Sequence, residues 1–125
     1  MSNLRDLADL PLLEVWGEAV RARRLDGERI SLAVVELAPN AVVPEHHHPA
    51  EQLGLCITGS IQFTIADETR DLGPGGTWRI TSEVPHEVVA GPDGAIVLDV
   101  FTPPRSDWDE LPVLDPPPAP RWPAG

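Results

Sequence analysis

Through the middle of the chain, apolar and polar positions alternate with a period of two. The clearest run is residues 61–66, where Ile61, Phe63 and Ile65 alternate with Gln62, Thr64 and Ala66. Residues two apart on a strand share a face, so the run predicts a strand with one buried side. Comparable stretches at residues 18–25, 28–37, 52–58, 77–80, 87–90 and 95–102 predict further strands. Glycine-containing turn signals separate them. Asp26-Gly27 predicts a hairpin between the first two, Gly59-Ser60 another between 52–58 and 61–66, and Gly91-Pro92-Asp93-Gly94 a third between 87–90 and 95–102. Gly73-Pro74-Gly75-Gly76 predicts a turn before 77–80. A short helix is predicted only within residues 2–13, where Pro11 limits it. Many short antiparallel strands with Gly/Pro turns predict an all-β sandwich or barrel. Within 52–58 the alternation places Gln52, Gly54 and Cys56 inside and Leu53, Leu55 and Ile57 outside.

A break in composition marks the end of this pattern. Eight of the fifteen prolines lie at Pro103 or later, including Pro116-Pro117-Pro118. Such a stretch makes neither a helix nor a central strand. The organisation expected is an N-terminal segment 1–17, a barrel 18–106 and a Pro-rich tail 107–125, with Trp108 and Trp122 available to pin the tail to the barrel or to a second subunit; a mobile tail is the alternative.

With 125 residues, 42% of them hydrophobic, the chain fits one domain with a real core. The net charge of −11 argues against a nucleic-acid surface, which should be basic. It also repels anionic ligands at long range, so an anionic substrate would need a local arginine to receive it. No apolar run approaches the ~20 residues that span a bilayer, and residues 1–24 lack the pattern of a secretory signal, which predicts a cytoplasmic protein with no membrane partner. The single cysteine, Cys56, excludes an intrachain disulfide and sits among apolar strand residues, as a buried structural thiol does. Arg21, Arg23 and Arg24 are expected to form a solvated strand face or to pair with the many surface carboxylates, with substrate binding as the alternative.

The chain has four histidines: His46, His47, His48 and His86. In an extended segment His46 and His48 point to one side and His47 to the other. Gln52, four residues on, can add an amide oxygen, and His86, after Pro85, would come from a distant strand. Three imidazoles and one oxygen suit a single divalent transition metal such as Zn, Ni, Fe, Mn or Co and leave room for water or substrate. A polar loop is the plainer alternative for three adjacent histidines.

These residues resemble a family. The spacing His46-x-His48-x3-Gln52-x6-Gly59 is similar to the first motif of the cupins, and Gly73-x-Gly75 leading to Pro85-His86 is similar to their second. The resemblance covers residues 32–105. It implies the cupin fold, a double-stranded β-helix or jelly-roll barrel, with metal bound by His46, His48, Gln52 and His86. Gln52 stands where the family usually has Glu, and Ala90 where it often has Asn. A neutral ligand set leaves the ion its full charge, which favours redox-neutral Lewis-acid chemistry over oxygen chemistry.

The last strand adds a second constellation. Asp99 and Phe101 share a face within an apolar run, where an acid is costly without a partner or a task. Arg105 follows Pro103-Pro104 and can grip a carboxylate with two parallel hydrogen bonds. A structural Asp99–Arg105 ion pair is the alternative. The combination of residues 46–52 with Asp99-x-Phe101-Thr102-Pro103-Pro104-Arg105 resembles the KdgF-type pectin-degradation cupins, which convert cyclic unsaturated uronates to linear keto sugars. The resemblance implies that Asp99 is the acid/base, that Phe101 shapes the pocket and that Arg105 holds the uronate carboxylate. Trp78, Arg79 and the tail have no counterpart in it. An iron cupin dioxygenase and a non-catalytic metal or small-ligand binder are the competing functions. A homodimer is expected, since small cupins resemble one another in pairing sheets and Leu53, Leu55 and Ile57 need cover.

Overall fold

The computed structural model describes residues 2–123. Among the described residues, nine strands form one antiparallel system: β1 (Leu12–Trp16), β2 (Val20–Asp26), β3 (Ser31–Leu37), β4 (Val42–His46), β5 (Glu51–Ile65), β6 (Glu68–Leu72), β7 (Thr77–Ile80), β8 (His86–Thr102) and β9 (Val113–Leu114). The sheet runs β6-β5-β8-β3-β2-β1-β9, with β4 on β8 and β7 on β5. The all-β barrel expected from the alternation is what forms, and no helix among the described residues is long and apolar enough to cross a membrane.

The two longest strands make the barrel. β5 and β8 pair along most of their lengths, from Glu51↔Thr102 to Ile65↔His86, with register shifts at Cys56/Thr58 and Gly59/Ile61. A bulge bends a strand and sharpens its twist, so each strand serves two walls: β8 pairs with β4 near His86 and with β3 beyond Ala95. This corrects two hairpins. Gly59-Ser60 and Gly91-Pro92-Asp93-Gly94 are not reversals but bends inside β5 and β8. Gly59 has φ +77°, and a Cβ there would run into the Gly94 backbone. Glycine is needed because two bent strands cross, a demand that looks in sequence like a turn.

The true reversal after β5 is Ala66-Asp67, with Ala66 at φ +54°. β6 was not foreseen because Glu68–Leu72 is polar and exposed except for a half-buried Leu72. The hairpin at Asp26-Gly27 does form, but with a four-residue loop: Asp26 pairs Ser31, and Gly27 N–H donates to Ile30 C=O at 2.7 Å. The predicted N-terminal helix is only a 3₁₀ turn, Leu7–Asp9, followed by β1, because Pro11 ends any helix and Leu12 and Leu13 are drawn into the sheet.

The tail is tied down. Ser106–Glu110 forms a 3₁₀ turn that buries Trp108 against Phe101 (ring centroids 5.4 Å apart), and β9 adds to the free edge of β1. Farther on, Pro118 C=O accepts a hydrogen bond from Arg23, and Arg121 meets Glu36. Arg23 is therefore 2% exposed, not solvated as its neighbours in sequence suggested. Leu12 and Val34 flank Arg23 in register and are also buried, outside the main core cluster. Leu12, Arg23 and Val34 thus form a thin second layer on the barrel's outer wall, where the tail meets it.

Candidate metal centre and catalytic cavity

Four segments carry the site. β4 ends at His46, the following loop holds His48, β5 begins with Glu51 and Gln52, and β8 starts at His86 directly opposite His46 in register. The three imidazoles converge, with ring centroids 4.2 Å apart for His46–His86, 4.9 Å for His48–His86 and 5.7 Å for His46–His48. One ring nitrogen of each lies within 4.8 Å of the other two. His47 points the other way, is exposed and pairs with Glu83 at 2.9 Å, as the alternation required.

Each of the three rings is oriented in the same manner. Nδ1 faces a backbone carbonyl two residues away: His46 to Pro44 (2.9 Å), His48 to Ala50 (2.8 Å) and His86 to Val84 (2.9 Å). A carbonyl only accepts, so Nδ1 carries the proton and Nε2 presents a lone pair, the tautomer a metal needs. Burial holds His86 down at about 4 and, with Arg105 nearby, also lowers His48, so both are neutral at pH 7.

Gln52 supplies a test of fit. Its Nε2 donates to Asp99 Oδ1 at 2.9 Å, which turns Oε1 toward His48 Nε2 at 3.2 Å. With Nδ1–H of His48 already committed to Ala50, two acceptor atoms face each other there. Flipping the amide moves the same conflict to Asp99. A proton on His48 is disfavoured by burial. A cation bound by both atoms removes the repulsion, so the donor set, three neutral imidazoles and one amide oxygen, fits a divalent metal.

Asp99 sits behind Gln52. Gly54 of β5 lies between Trp78 of β7 and Asp99 of β8 in register, and its missing side chain lets them meet: Trp78 Nε1–H donates to Asp99 Oδ1 at 2.8 Å. A Cβ on Gly54 would overlap the Trp78 indole and lie 2.5 Å from Asp99 Oδ1. Oδ1 thus accepts twice, while Oδ2 has no hydrogen-bond partner among the described residues, and Asp99 lines the cavity. Burial pushes this carboxyl up to about 6, against the opposing pull of its two donors. Trp78 was not foreseen as part of the site. The signal was present in Trp78 and Ile80 alternating with exposed Arg79, but inward direction alone does not say what an indole bonds.

Arg105 is not paired with Asp99. Its Nε and one terminal nitrogen hold both oxygens of Asp107, at 2.9 and 2.7 Å, and its guanidinium lies 5.1 Å from the Phe101 ring centre and 5.3 Å from that of Trp108. Arg24 pairs with carboxylates, as one of the expected arrangements has it: it donates to Asp109 and also to Arg105 C=O, both at 2.7 Å, and so fixes the turn. The structural Asp99–Arg105 pair is thereby excluded. Cys56 is buried, and burial pushes its thiol up, as a structural cysteine requires.

The cavity joining these groups has a volume of about 180 Å³. His46, His86, Gln52, Asp99, Arg105 and Asp107 supply charged and polar groups to its lining, and aliphatic and aromatic side chains, Phe63, Trp78 and Phe101 among them, supply most of the rest. It is small beside the 300–1,000 Å³ of pockets for drug-sized ligands, so it suits a ligand of about one ring or less.

Comparison with known proteins agrees with this architecture. Over 92 residues the chain is 33% identical to oxalate decarboxylase OxdC of Bacillus subtilis, covering 69% of this chain and 24% of that protein, about a quarter of its length. Over 97 residues it is 25% identical to pectin degradation protein KdgF of Dickeya dadantii, covering 76% of this chain and 88% of that one. The solved structure of KdgF from Halomonas superposes with a TM-score of 0.77 at 21% identity, over 86% of this chain and 98% of that one, a likeness of fold. Residues 33–101 match the family described as Cupin domain. The chain belongs to the cupin family, and within it resembles the small KdgF-type cupins.

Proposed function

We propose that this cupin is a metal-dependent enzyme that moves a proton on a small anionic sugar, with a cyclic 4,5-unsaturated uronate as substrate and a linear keto sugar as product. The observation that carries the proposal is Asp99: a buried carboxyl lining the cavity, with one oxygen held by Trp78 and Gln52, the other without a hydrogen-bond partner among the described residues, and an acidity raised to about 6. A group of that acidity serves as base and as acid near neutral pH. A mere binder has no need of it. The relationship to pectin degradation protein KdgF supports the substrate class.

His46, His48, His86 and Gln52 Oε1 would hold the metal, which when bound supplies Lewis acidity toward a substrate oxygen. The chain's own groups do the rest. Asp99 Oδ2 takes the proton from the hydroxyl on C1. The electron pair left on that oxygen forms the C1 carbonyl as the bond from C1 to the ring oxygen breaks. The ring oxygen keeps the pair as an enolate, and Asp99 returns the proton to C4, leaving a ketone at C5. No atom is gained or lost. Trp78 and Gln52 keep Asp99 Oδ1 fixed throughout, and Phe101 bounds the space for the ring. Arg105 receives the substrate carboxylate.

The assay follows loss of the ultraviolet absorbance of the 4,5-unsaturated uronate without oxygen. Asp99→Asn should retain fold and metal and lose turnover by about 10²–10⁴-fold; full activity in the metal-loaded variant rejects the proton role. Arg105→Lys keeps charge but loses the fork, so KM should rise more than kcat falls. The identity with oxalate decarboxylase favours a second reading, a small dicarboxylic acid as substrate, and oxygen consumption would favour the dioxygenase.

We also propose a homodimer. Leu25, Leu32, Val100 and Leu53 form one row across β2, β3, β8 and β5, and Leu25, Leu32 and Leu53 are 47%, 37% and 52% exposed. A row of this length on a sheet's outer face suits a second copy of the chain.

A further inference from the structure

Arg105 lines the cavity with one of its two-pronged edges, Nε and one terminal nitrogen, already filled. Asp107, two residues on, takes the Nε and terminal N–H that a bound carboxylate would take, and it does so with both oxygens. The two partners are not held alike. The Arg105 guanidinium is packed beside the rings of Phe101 and Trp108, and its carbonyl is held by Arg24 at 2.7 Å. The Arg105 side chain is 11% exposed, against 61% for that of Asp107. Asp107 is bonded to no side chain but Arg105 among the described residues, and it also lines the cavity. Of the two, Asp107 is therefore the partner free to move when an anion takes that edge of Arg105.

We propose that Asp107 is a specificity-determining residue, an internal carboxylate that masks Arg105 and must be displaced by the carboxylate of the ligand. The inference rests on the reading of Arg105 as the carboxylate-binding group. The consequence is selectivity. A competitor tethered two residues away is present at high effective concentration. A lone carboxylate gains little by exchanging with it, whereas a ligand with a second anchor at the metal centre gains enough to displace it. The mask also satisfies the arginine while the site waits for substrate, since a half-buried cation without a partner is costly.

The probe is formate, the smallest carboxylate, followed by the ¹⁵N–¹H signal of Arg105 Nε in the metal-loaded protein. Asp107→Asn removes the charge but little volume, and at an exposed turn it should fold normally. Formate should bind this variant about tenfold more tightly than wild type at low ionic strength, and Asp107→Glu should stay near wild type. The gain should vanish in Asp107→Asn/Arg105→Gln, read there by calorimetry. Unchanged or weaker formate binding in Asp107→Asn overturns the mask, as does a gain that survives loss of Arg105. Calorimetry with D-galacturonate, a saturated uronate, separates the two ideas: tighter formate binding in Asp107→Asn without any galacturonate binding keeps the mask and removes the uronate.

Discussion

Replacing Gly54 by Ala adds one methyl group at the most crowded point behind the site. The new Cβ would overlap the Trp78 indole and lie 2.5 Å from Asp99 Oδ1, where an ordinary contact exceeds 3.4 Å. Trp78 cannot simply swing outward, because it is 6% exposed and packs on Phe63 with ring centroids 5.0 Å apart. Overpacking of this kind costs about 1–3 kcal/mol. Displacing the indole also removes a hydrogen bond to a buried carboxylate, roughly 1.5–3 kcal/mol more. A total of about 2.5–6 kcal/mol is a large part of the ~5–15 kcal/mol that stabilises a typical domain. At roughly 4 °C per kcal/mol, Tm should fall by about 10–24 °C. The assay is thermal and urea unfolding of chelator-treated protein, in Gly54→Ala, Trp78→Phe and the double variant. Phe is smaller and lacks the N–H, so in its presence the added methyl should cost at least about 1.5 kcal/mol less. Gly54→Ala should also weaken metal binding by about tenfold, since Asp99 orients the Gln52 amide. A Gly54→Ala protein within about 0.5 kcal/mol of wild type, the ordinary scatter of a neutral surface change, would refute the packing argument; so would an equal cost in both backgrounds.

Elemental analysis should find metal largely lost from His48→Ala and His86→Ala and retained in His47→Ala, because only His47 turns away to Glu83. Asp99→Asn in metal-free protein should be more stable than wild type at pH 8, by on the order of 1–3 kcal/mol. The folded carboxyl is raised from 3.8 to about 6, so the folded state binds more protons between these values and wild-type stability falls as pH rises through them. The advantage of Asn should therefore fade below about pH 4, as urea titrations across pH would register. His86 has the opposite sign: lowered from 6.5 to about 4, it takes stability away as pH falls through that window, so Asp99→Asn should lose stability more steeply than wild type on acidification. Ending the chain after Asp115 should lower Tm, since the buried Arg23 would lose its hydrogen bond to Pro118 and Glu36 its contact with Arg121. Light scattering should give twice the chain mass across a dilution series, and Leu53→Lys should shift it toward the monomer.

Period-two alternation located most of the barrel wall, and it did so because burial on one face is a local demand repeated at every second residue. The same logic placed Gln52 and Cys56 inside and separated His47 from its neighbours, while the joining of His86 to His46 and His48 was legible through the resemblance to the two cupin motifs rather than through alternation. The misreadings share a cause. Gly59 and Gly94 are required by the crossing of two bent strands, and Asp26-Gly27 by a reversal, yet all three look alike in one dimension. A glycine reports a backbone constraint without saying whether the constraint is local or between strands. The particular partners of Arg23 and Arg24, Pro118 and Asp109, are not legible for the parallel reason: they are set by how the Pro-rich segment folds back, and no periodicity encodes that path. Trp78 and Gly54 belong together for the same geometric reason, since the glycine on β5 makes the gap that the indole on β7 crosses to reach Asp99 on β8. The three clustered histidines come from motifs that a sequence displays. The groups around Asp99 come from register, and those around Arg105 from the turn that follows the last long strand.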